Sequence, residues 1–295
     1  MTLRADTTGW EISTDRLTVR VARPGFIYRR TRFDWTGFVT DVILDGKHTY
    51  CSVESPNPME GAGGIGLCNE FGIIEPIGFE NAAIGETFPK LGIGLLRKDS
   101  EGPYFFMKDY PLQPFSCVTT ESQEGISWDV EPTDCRGYAV RLQKTLTVSG
   151  STIRIGYHLT NTGSKPINTT EYNHNFVLID HEPVGSAYRL AFSRPITFKR
   201  LDESILTTDG HVTWPDGSLG FYALCHDVPA TGTQSWEMWN DKSGAGLRET
   251  LDTDVCRIAL WGMPHVISPE MFKAIVLEPG EHDTWSRTYA FMSRP

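Results

Sequence analysis

The chain has 295 residues, of which 39% are hydrophobic and 22% are charged, a composition typical of a soluble globular protein. Its formal net charge of −10 argues against nucleic acid as the main partner, because nucleic-acid binding requires clustered Lys and Arg side chains. No apolar run is long enough to span a membrane, and the polar N-terminus lacks the apolar core of a signal peptide. We therefore expect no membrane association and a cytoplasmic location.

Short strands separated by turns are the dominant pattern along the chain. Apolar and polar residues alternate over 17–21, and the apolar run 38–44 leads into Asp45-Gly46, a strong hairpin signal. The alternation recurs in three later segments, at 140–148, 153–159 and 285–291. No segment of 12 residues has a convincing helical period with caps, so we expect few and short helices.

Strand spacing of roughly ten residues favours an all-β sandwich or barrel. No linker, charge block or internal repeat divides the chain, which predicts a single domain over 1–295. The region 54–115 is rich in Gly, Pro and aromatic residues and is predicted to be a long functional loop. Within it, the glycine-rich stretch 61–66 lacks the Lys-Ser/Thr of a phosphate-binding loop and is interpreted as a flexible loop over a cleft.

The segment 170–181 reads as a strand with an unusual number of polar residues. In an extended chain, one face carries Tyr172, His174 and Phe176, and the other carries Glu171, Asn173 and Asn175. Because Asn has poor strand propensity, we interpret the cluster as part of a polyol-binding cleft floored by a sheet. Asn173 and Asn175 face away from His174 and are expected to support the strand rather than contact the substrate. A neutral imidazole at 174 can exchange a proton near pH 7. A buried structural histidine is the alternative.

Glu270 is the second candidate for proton transfer. It lies between Pro269 and the apolar pair Met271-Phe272, so burial is expected to raise its pKa into the range of a general base. A solvent-exposed strand-end carboxylate is the alternative. In the same stretch, His265 and Trp261 are predicted to contact the substrate, since aromatic rings pack against the C–H faces of sugars. The chain has no G-x-S-x-G elbow and no H-E-x-x-H helix, which argues against serine hydrolases and zincins.

The six cysteines, at 51, 68, 117, 135, 225 and 256, form no C-x-x-C pair. This spacing fits neither a disulfide scaffold nor a zinc site, so reduced thiols are expected. A metal bound jointly by His174 and His181 would require the chain to bend, because seven residues of strand separate the two by about 23 Å.

Several of these segments resemble the galactose mutarotase-like superfamily, the aldose 1-epimerases and their relatives. Asn173-His174-Asn175-Phe176 resembles the family's Asn-His-x-x-Phe strand, and 268–272 is similar to the penultimate strand that carries the catalytic Glu. The turn 277–281 is similar to the family's Pro-Gly-Glu turn. The resemblance, mainly over 140–295, implies a β-supersandwich of two large, mostly antiparallel sheets. It also implies Glu270 as base, His174 as acid, a carbohydrate or related polyol ligand, and no metal or organic cofactor.

The first half of the chain departs from the family pattern. The family's Asn-Arg dipeptide and its additional His are absent, and 85–94 is the nearest counterpart. Lys90 and Glu86 from this segment, together with Glu70, are the substrate contacts predicted in their place. The leading hypothesis is an aldose-1-epimerase-like enzyme. The alternatives are a lyase, isomerase or cyclisation reaction on a non-hexose metabolite, and a non-catalytic carbohydrate-binding protein.

Overall fold

Two large antiparallel β-sheets make up most of the protein in its computed structural model. The structure describes residues 1–199, 201–202, 204–208, 210–225 and 231–294. The strands of the first half are β1 (Thr2–Ala5), β2 (Gly9–Ser13), β3 (Leu17–Ala22), β4 (Val39–Leu44), β5 (His48–Thr49), β6 (Leu67–Phe71), β7 (Thr87–Lys90), β8 (Gly94–Arg97), β9 (Leu112–Pro114), β10 (Cys117–Glu121), β11 (Gly125–Val130) and β12 (Val140–Ser149). Those of the second half are β13 (Thr152–Asn161), β14 (Ile167–Asn175), β15 (Tyr188–Phe192), β16 (Leu206–Thr208), β17 (His211–Thr213), β18 (Phe221–Cys225), β19 (Gln234–Asn240), β20 (Ala245–Leu251), β21 (Arg257–Met263), β22 (Val266–Leu277) and β23 (His282–Ser293). In the described part of the chain the only helix is a 3₁₀ turn, Ile179–His181.

The first sheet has the order β1-β2-β3-β4-β6-β14-β22-β21-β18, with β5 beside β4. The second has the order β10-β11-β12-β13-β23-β20-β19-β15-β17-β16, and β7-β8-β9 form a small third sheet. This arrangement confirms the predicted all-β fold with two large sheets and little helix. The single domain over 1–295 stays a prediction.

The strand predictions hold where apolar and polar residues alternate. The hairpin at Asp45-Gly46 joins β4 to β5, and both turn residues have positive φ, 54° and 65°, as such turns require. The prediction of one long loop over 54–115 is wrong, because this region contains β6 in the middle of the first sheet and β7 to β9. β6 is buried along its whole length and includes Asn69 and Glu70, so it lacks the alternation that identifies a half-buried strand.

A buried network of charged and polar side chains connects the two sheets. Arg287 on β23 is fully buried and donates to Glu171 on β14, at 3.0 and 2.9 Å, and to Glu249 on β20. Asn175 donates to Glu249 at 2.9 Å and accepts from the Tyr289 hydroxyl at 2.8 Å. These contacts satisfy groups that would otherwise be costly to bury.

The polar strand at 170–181 contributes one of its two faces to this network. Glu171, Asn173 and Asn175 face the second sheet, where Asn173 donates to the Tyr289 hydroxyl at 2.6 Å. They therefore join the two sheets and do not line a cleft. Only the opposite face of β14, which carries His174, is directed away from the second sheet.

We expect Arg287→Met to lower the free energy of unfolding by about 3–5 kcal/mol, because it leaves two buried carboxylates without their counter-ion. Arg141→Met is the matched control, since Arg141 pairs with Asp129 at 2.6 Å while its side chain is 43% exposed. That substitution should cost about 1 kcal/mol or less. Urea denaturation at neutral pH measures both, and equal losses would contradict the network's structural role.

Candidate active site

A cleft of about 820 Å³ lies on the face of the first sheet that is directed away from the second sheet. Its lining combines apolar walls with a few charged groups: Arg32, Glu54, Ser55, Pro56, Glu60, Gly61, Ile73, Ile74, Phe106, Met107, His174, Tyr222, Arg257, Trp261, Met263, His265, Glu270 and Phe272. Such a combination is typical of small-molecule sites.

The centre of the cleft floor is built around a break in the β14–β22 ladder. Tyr172 pairs with Phe272, and Val177 pairs with Ile267 further along, in the same register. Between these pairs, Pro269 has no N–H to donate to the carbonyl of Asn175, which instead accepts from the Val177 N–H at 2.9 Å. The Asn175 side chain donates to the Pro269 carbonyl at 2.7 Å. Side-chain hydrogen bonds therefore replace the missing part of the ladder.

This register places His174 directly opposite Glu270, with both side chains on the cleft face. His174 Nε2 lies 3.3 Å from Glu270 Oε1. The Ser268 hydroxyl lies 2.9 Å from His174 Nδ1 and 3.2 Å from Glu270 Oε1, and it accepts the Asn175 N–H at 3.0 Å. A histidine and a carboxylate thus touch each other on the cleft floor, and one serine hydroxyl contacts both.

Burial changes the proton affinity of both groups in the direction of their neutral forms. Desolvation raises the pKa of Glu270 from its ordinary 4.5 to about 8, although the Arg32 charge and the Ser268 hydrogen bond act in the opposite direction. Desolvation, with the Arg32 charge, holds the pKa of His174 well below its ordinary range. At neutral pH, Glu270 is therefore protonated and His174 is an uncharged imidazole.

Arg32 is held at one side of the cleft by three hydrogen bonds. Its guanidinium donates to Glu70 at 2.9 Å, to Glu54 at 3.2 Å and to the Tyr172 hydroxyl at 3.1 Å. Tyr172 in turn donates to Glu70 at 2.7 Å. A fourth N–H faces the Met107 sulfur at 3.6 Å, so four of the five N–H groups of Arg32 are used, and the residue supplies fixed positive charge with little remaining capacity to bind a ligand.

Three predicted substrate contacts lie outside the cleft lining. Glu70 is fully buried, and both of its oxygens are used, by Lys90 at 3.1 Å and by Arg32. Lys90 also donates to the Gly72 carbonyl at 3.1 Å. Glu70 and Lys90 therefore hold Arg32 in place from its buried side. Glu86 has a 49% exposed side chain and binds Arg136 at 2.8 Å. The structure does not bring it to the cleft.

Trp261 and His265, in contrast, both line the cleft. The Trp261 ring meets the His174 ring edge-on, with centroids 5.1 Å apart. His265 Nε2 lies 3.2 Å from the Glu54 carbonyl. The carboxylate of Glu54 accepts from backbone N–H groups at 62 and 64, which fixes the glycine-rich loop predicted to lie over a cleft, and Gly61 of this loop is part of the lining.

The sequence patterns single out neither Arg32 nor Arg257, because no motif distinguishes them from surface arginines. Ser268 lies two residues before Glu270, so the two side chains share one face of the strand. This spacing could identify Ser268 from the sequence once Glu270 is assigned.

In the described part of the chain, all six cysteines are free, and no three His, Cys, Asp or Glu side chains are grouped to hold a metal ion. No described helix is long and apolar enough to cross a membrane.

The fold is that of the galactose mutarotase-like proteins, although no protein-family profile and no curated sequence matches the chain. A candidate aldose 1-epimerase from Escherichia coli K12 is 11% identical, with a TM-score of 0.62 over 96% of this chain and 98% of that one. A galactose mutarotase related enzyme from Lactobacillus acidophilus is 10% identical, with a TM-score of 0.61 over 97% of both chains. A galactose mutarotase-like protein from Lactobacillus casei is 14% identical, with a TM-score of 0.56 over 96% of this chain and 99% of that one. These similarities confirm the predicted resemblance at the level of the fold.

The raised pKa of Glu270 predicts a specific dependence of stability on pH. Below pH 4.5 the carboxyl is neutral in both states, whereas between 4.5 and about 8 only the unfolded chain releases its proton. The folded state therefore loses about 1.4 kcal/mol per pH unit across this window. Glu270→Gln removes this loss, so the variant should gain roughly 3–4 kcal/mol relative to wild type between pH 5 and pH 8.

Urea denaturation of both proteins at the two pH values tests this expectation. Glu278→Gln, just beyond the same strand and exposed, should give the same difference from wild type at both pH values. If Glu270→Gln behaves like this control, the carboxyl at 270 is not desolvated as described.

Proposed function

We propose that this protein is an aldose-1-epimerase-like isomerase that interconverts the anomers of a free sugar or sugar derivative. The contact between His174 and Glu270 on the cleft floor carries the proposal. Anomer interconversion requires one group to act on the anomeric oxygen and another on the ring oxygen. Because both oxygens are bonded to the same carbon, the two groups must be close neighbours, as His174 and Glu270 are.

In the proposed reaction, the ring opens when Glu270 removes the proton of the anomeric hydroxyl and His174 gives a proton to the ring oxygen. The bond between C1 and the ring oxygen breaks with its electron pair on that oxygen, and C1 becomes a carbonyl. Rotation about C1–C2 presents the other face. His174 then takes back the proton of the C5 hydroxyl while Glu270 protonates the carbonyl oxygen. Protons balance over the cycle.

The pair holds the number of protons that this cycle requires. Near neutral pH the pair holds one proton, which resides on Glu270 in the free protein, and this is also the state that accompanies the open-chain sugar. Ring opening begins from the alternative arrangement, with the proton on His174. The Ser268 hydroxyl contacts both groups and has one proton to donate. If it donates to His174 Nδ1, the imidazole hydrogen is on Nε2. If it donates to Glu270, the imidazole hydrogen is on Nδ1, which then donates to Ser268.

We expect Glu270→Gln and His174→Ala each to lower the rate of enzyme-dependent anomer exchange by roughly 10²–10⁴-fold, the usual contribution of a well-placed acid or base. Exchange NMR on a panel of free sugars measures this rate. Glu278→Gln, the exposed carboxyl beyond the same strand, should retain the wild-type rate.

Two outcomes would contradict the proposal in different ways. Sugar binding without accelerated exchange, unchanged by Glu270→Gln, would favour a carbohydrate-binding protein. Absence of binding and exchange with every sugar would favour a different acid–base reaction on another metabolite.

The pH profile tests the assignment of Ser268 as a positioning residue. In wild type, kcat/KM should stay level through the ordinary range of histidine titration and fall above about pH 8, where the pair loses its last proton. The Ser268 hydrogen bond lowers the pKa of Glu270, so Ser268→Ala should move this falling limb to higher pH while kcat decreases.

Ser268→Thr keeps the hydroxyl and should restore the wild-type position of the limb. A loss of activity in Ser268→Ala without movement of the limb would indicate that the serine acts only through packing.

A further inference from the structure

Arg257 differs from the other charged side chains of the cleft because no described residue gives its side chain a hydrogen bond or an ion pair. Arg32, Glu54, Glu60 and Glu270 each make at least one hydrogen bond or ion pair. Over the residues that the structure describes, the Arg257 guanidinium makes neither, and its Nε is buried without a hydrogen bond. A guanidinium without an acceptor favours a ligand that supplies one to its terminal nitrogens.

The guanidinium is nonetheless held in a defined place. Its central carbon lies 3.7 Å from the centroid of the Phe272 ring, a cation–π contact that fixes the plane of the group. On β21, Arg257 is opposite Phe272 and Ala259 is opposite Glu270. Arg257 is therefore a diagonal neighbour of Glu270, about 7–8 Å away between backbones. The cation lies beside the proposed acid–base pair without obstructing it.

Within the described part of the chain, no carboxylate of the cleft forms an ion pair with Arg257. Glu270, on the adjacent strand, is protonated at neutral pH because burial raises its pKa to about 8. Glu75 and Arg257 both line a recess of about 280 Å³ that adjoins the cleft, but over the described residues no ion pair joins the two side chains. Ile73 and Ile74, which line both the cleft and this recess, place apolar surface beside the guanidinium.

We infer that the substrate carries an anionic group, a phosphate or a carboxylate, which Arg257 binds while the anomeric carbon lies at His174 and Glu270. This inference rests on the proposed function and narrows the substrate to sugar phosphates and sugar acids whose anomeric hydroxyl is free. A guanidinium suits both anions, because its planar fork donates two parallel hydrogen bonds to paired oxygens.

Exchange NMR on glucose and galactose, their 6-phosphates and the corresponding uronates tests this inference. Wild type should show a higher kcat/KM for the phosphates or for the uronates than for the neutral sugars, and the better series identifies the anion. Arg257→Gln should lower kcat/KM for that series by roughly 10–100-fold, the range expected for a charge-assisted hydrogen bond. The loss with neutral sugars should be smaller, because they lose only the effect of the Arg257 charge on the pKa of the neighbouring Glu270.

Arg294→Gln is the matched control, because Arg294 also stacks on an aromatic ring, that of Trp239 at 4.9 Å, but is half exposed and paired with Asp241. It should leave all rates unchanged. Equal kcat/KM for neutral and anionic sugars in wild type, or equal losses for both in Arg257→Gln, would overturn the inference.

Calorimetric titration with the same anionic sugars separates this inference from the proposed function. Binding that is weakened by Arg257→Gln supports anion recognition even if no anomer exchange is catalysed, in which case only the proposed function fails. Exchange of neutral sugars without any Arg257-dependent binding of anionic ones leaves the proposed function standing and overturns the inference.

Discussion

Pro269 lies in the interior of β22 and has no N–H to donate to the neighbouring strand β14. A central strand usually excludes proline for this reason. Here Asn175 and Ser268 replace the missing backbone hydrogen bonds with side-chain ones, which keeps the two strands in register across the break. The same replacement places a serine hydroxyl between His174 and Glu270. The arrangement of the cleft floor thus follows from one residue that cannot complete a β-ladder.

The two faces of β14 separate the tasks of stability and chemistry. On the inner face, Glu171 and Asn175 belong to a network in which Arg287 compensates two buried carboxylates. On the outer face, His174 and Glu270 are buried without full compensation, and their proton affinities change accordingly. Because the network on its inner face fixes β14, the strand can hold ionisable groups in a poorly solvated environment on its outer face. Such an environment shifts their pKa values, as acid–base chemistry near neutral pH usually requires.

Much of the fold, and part of the site, could be predicted from the sequence. Alternating segments identified the strands, and period two placed His174 on the face opposite Asn173 and Asn175. β6 was missed because it is buried on both faces and includes polar residues that pair with distant ones, such as Glu70 with Arg32 and Lys90. The positions of Glu70, Lys90 and Glu86 relative to the cleft depend on these tertiary contacts, which no local pattern encodes.

The strand order determines when the two sheets can be completed during synthesis. β22 and β23, which follow all the other described strands in sequence, occupy interior positions in the first and second sheets respectively. Neither sheet is complete during synthesis until these strands have left the ribosome, and their pairing with β14 and β13 joins residues 100 or more positions apart. Such non-local topologies fold slowly and leave strand edges open meanwhile. The acid–base pair can therefore form only after β22, which carries Glu270, has been synthesised and has paired with β14.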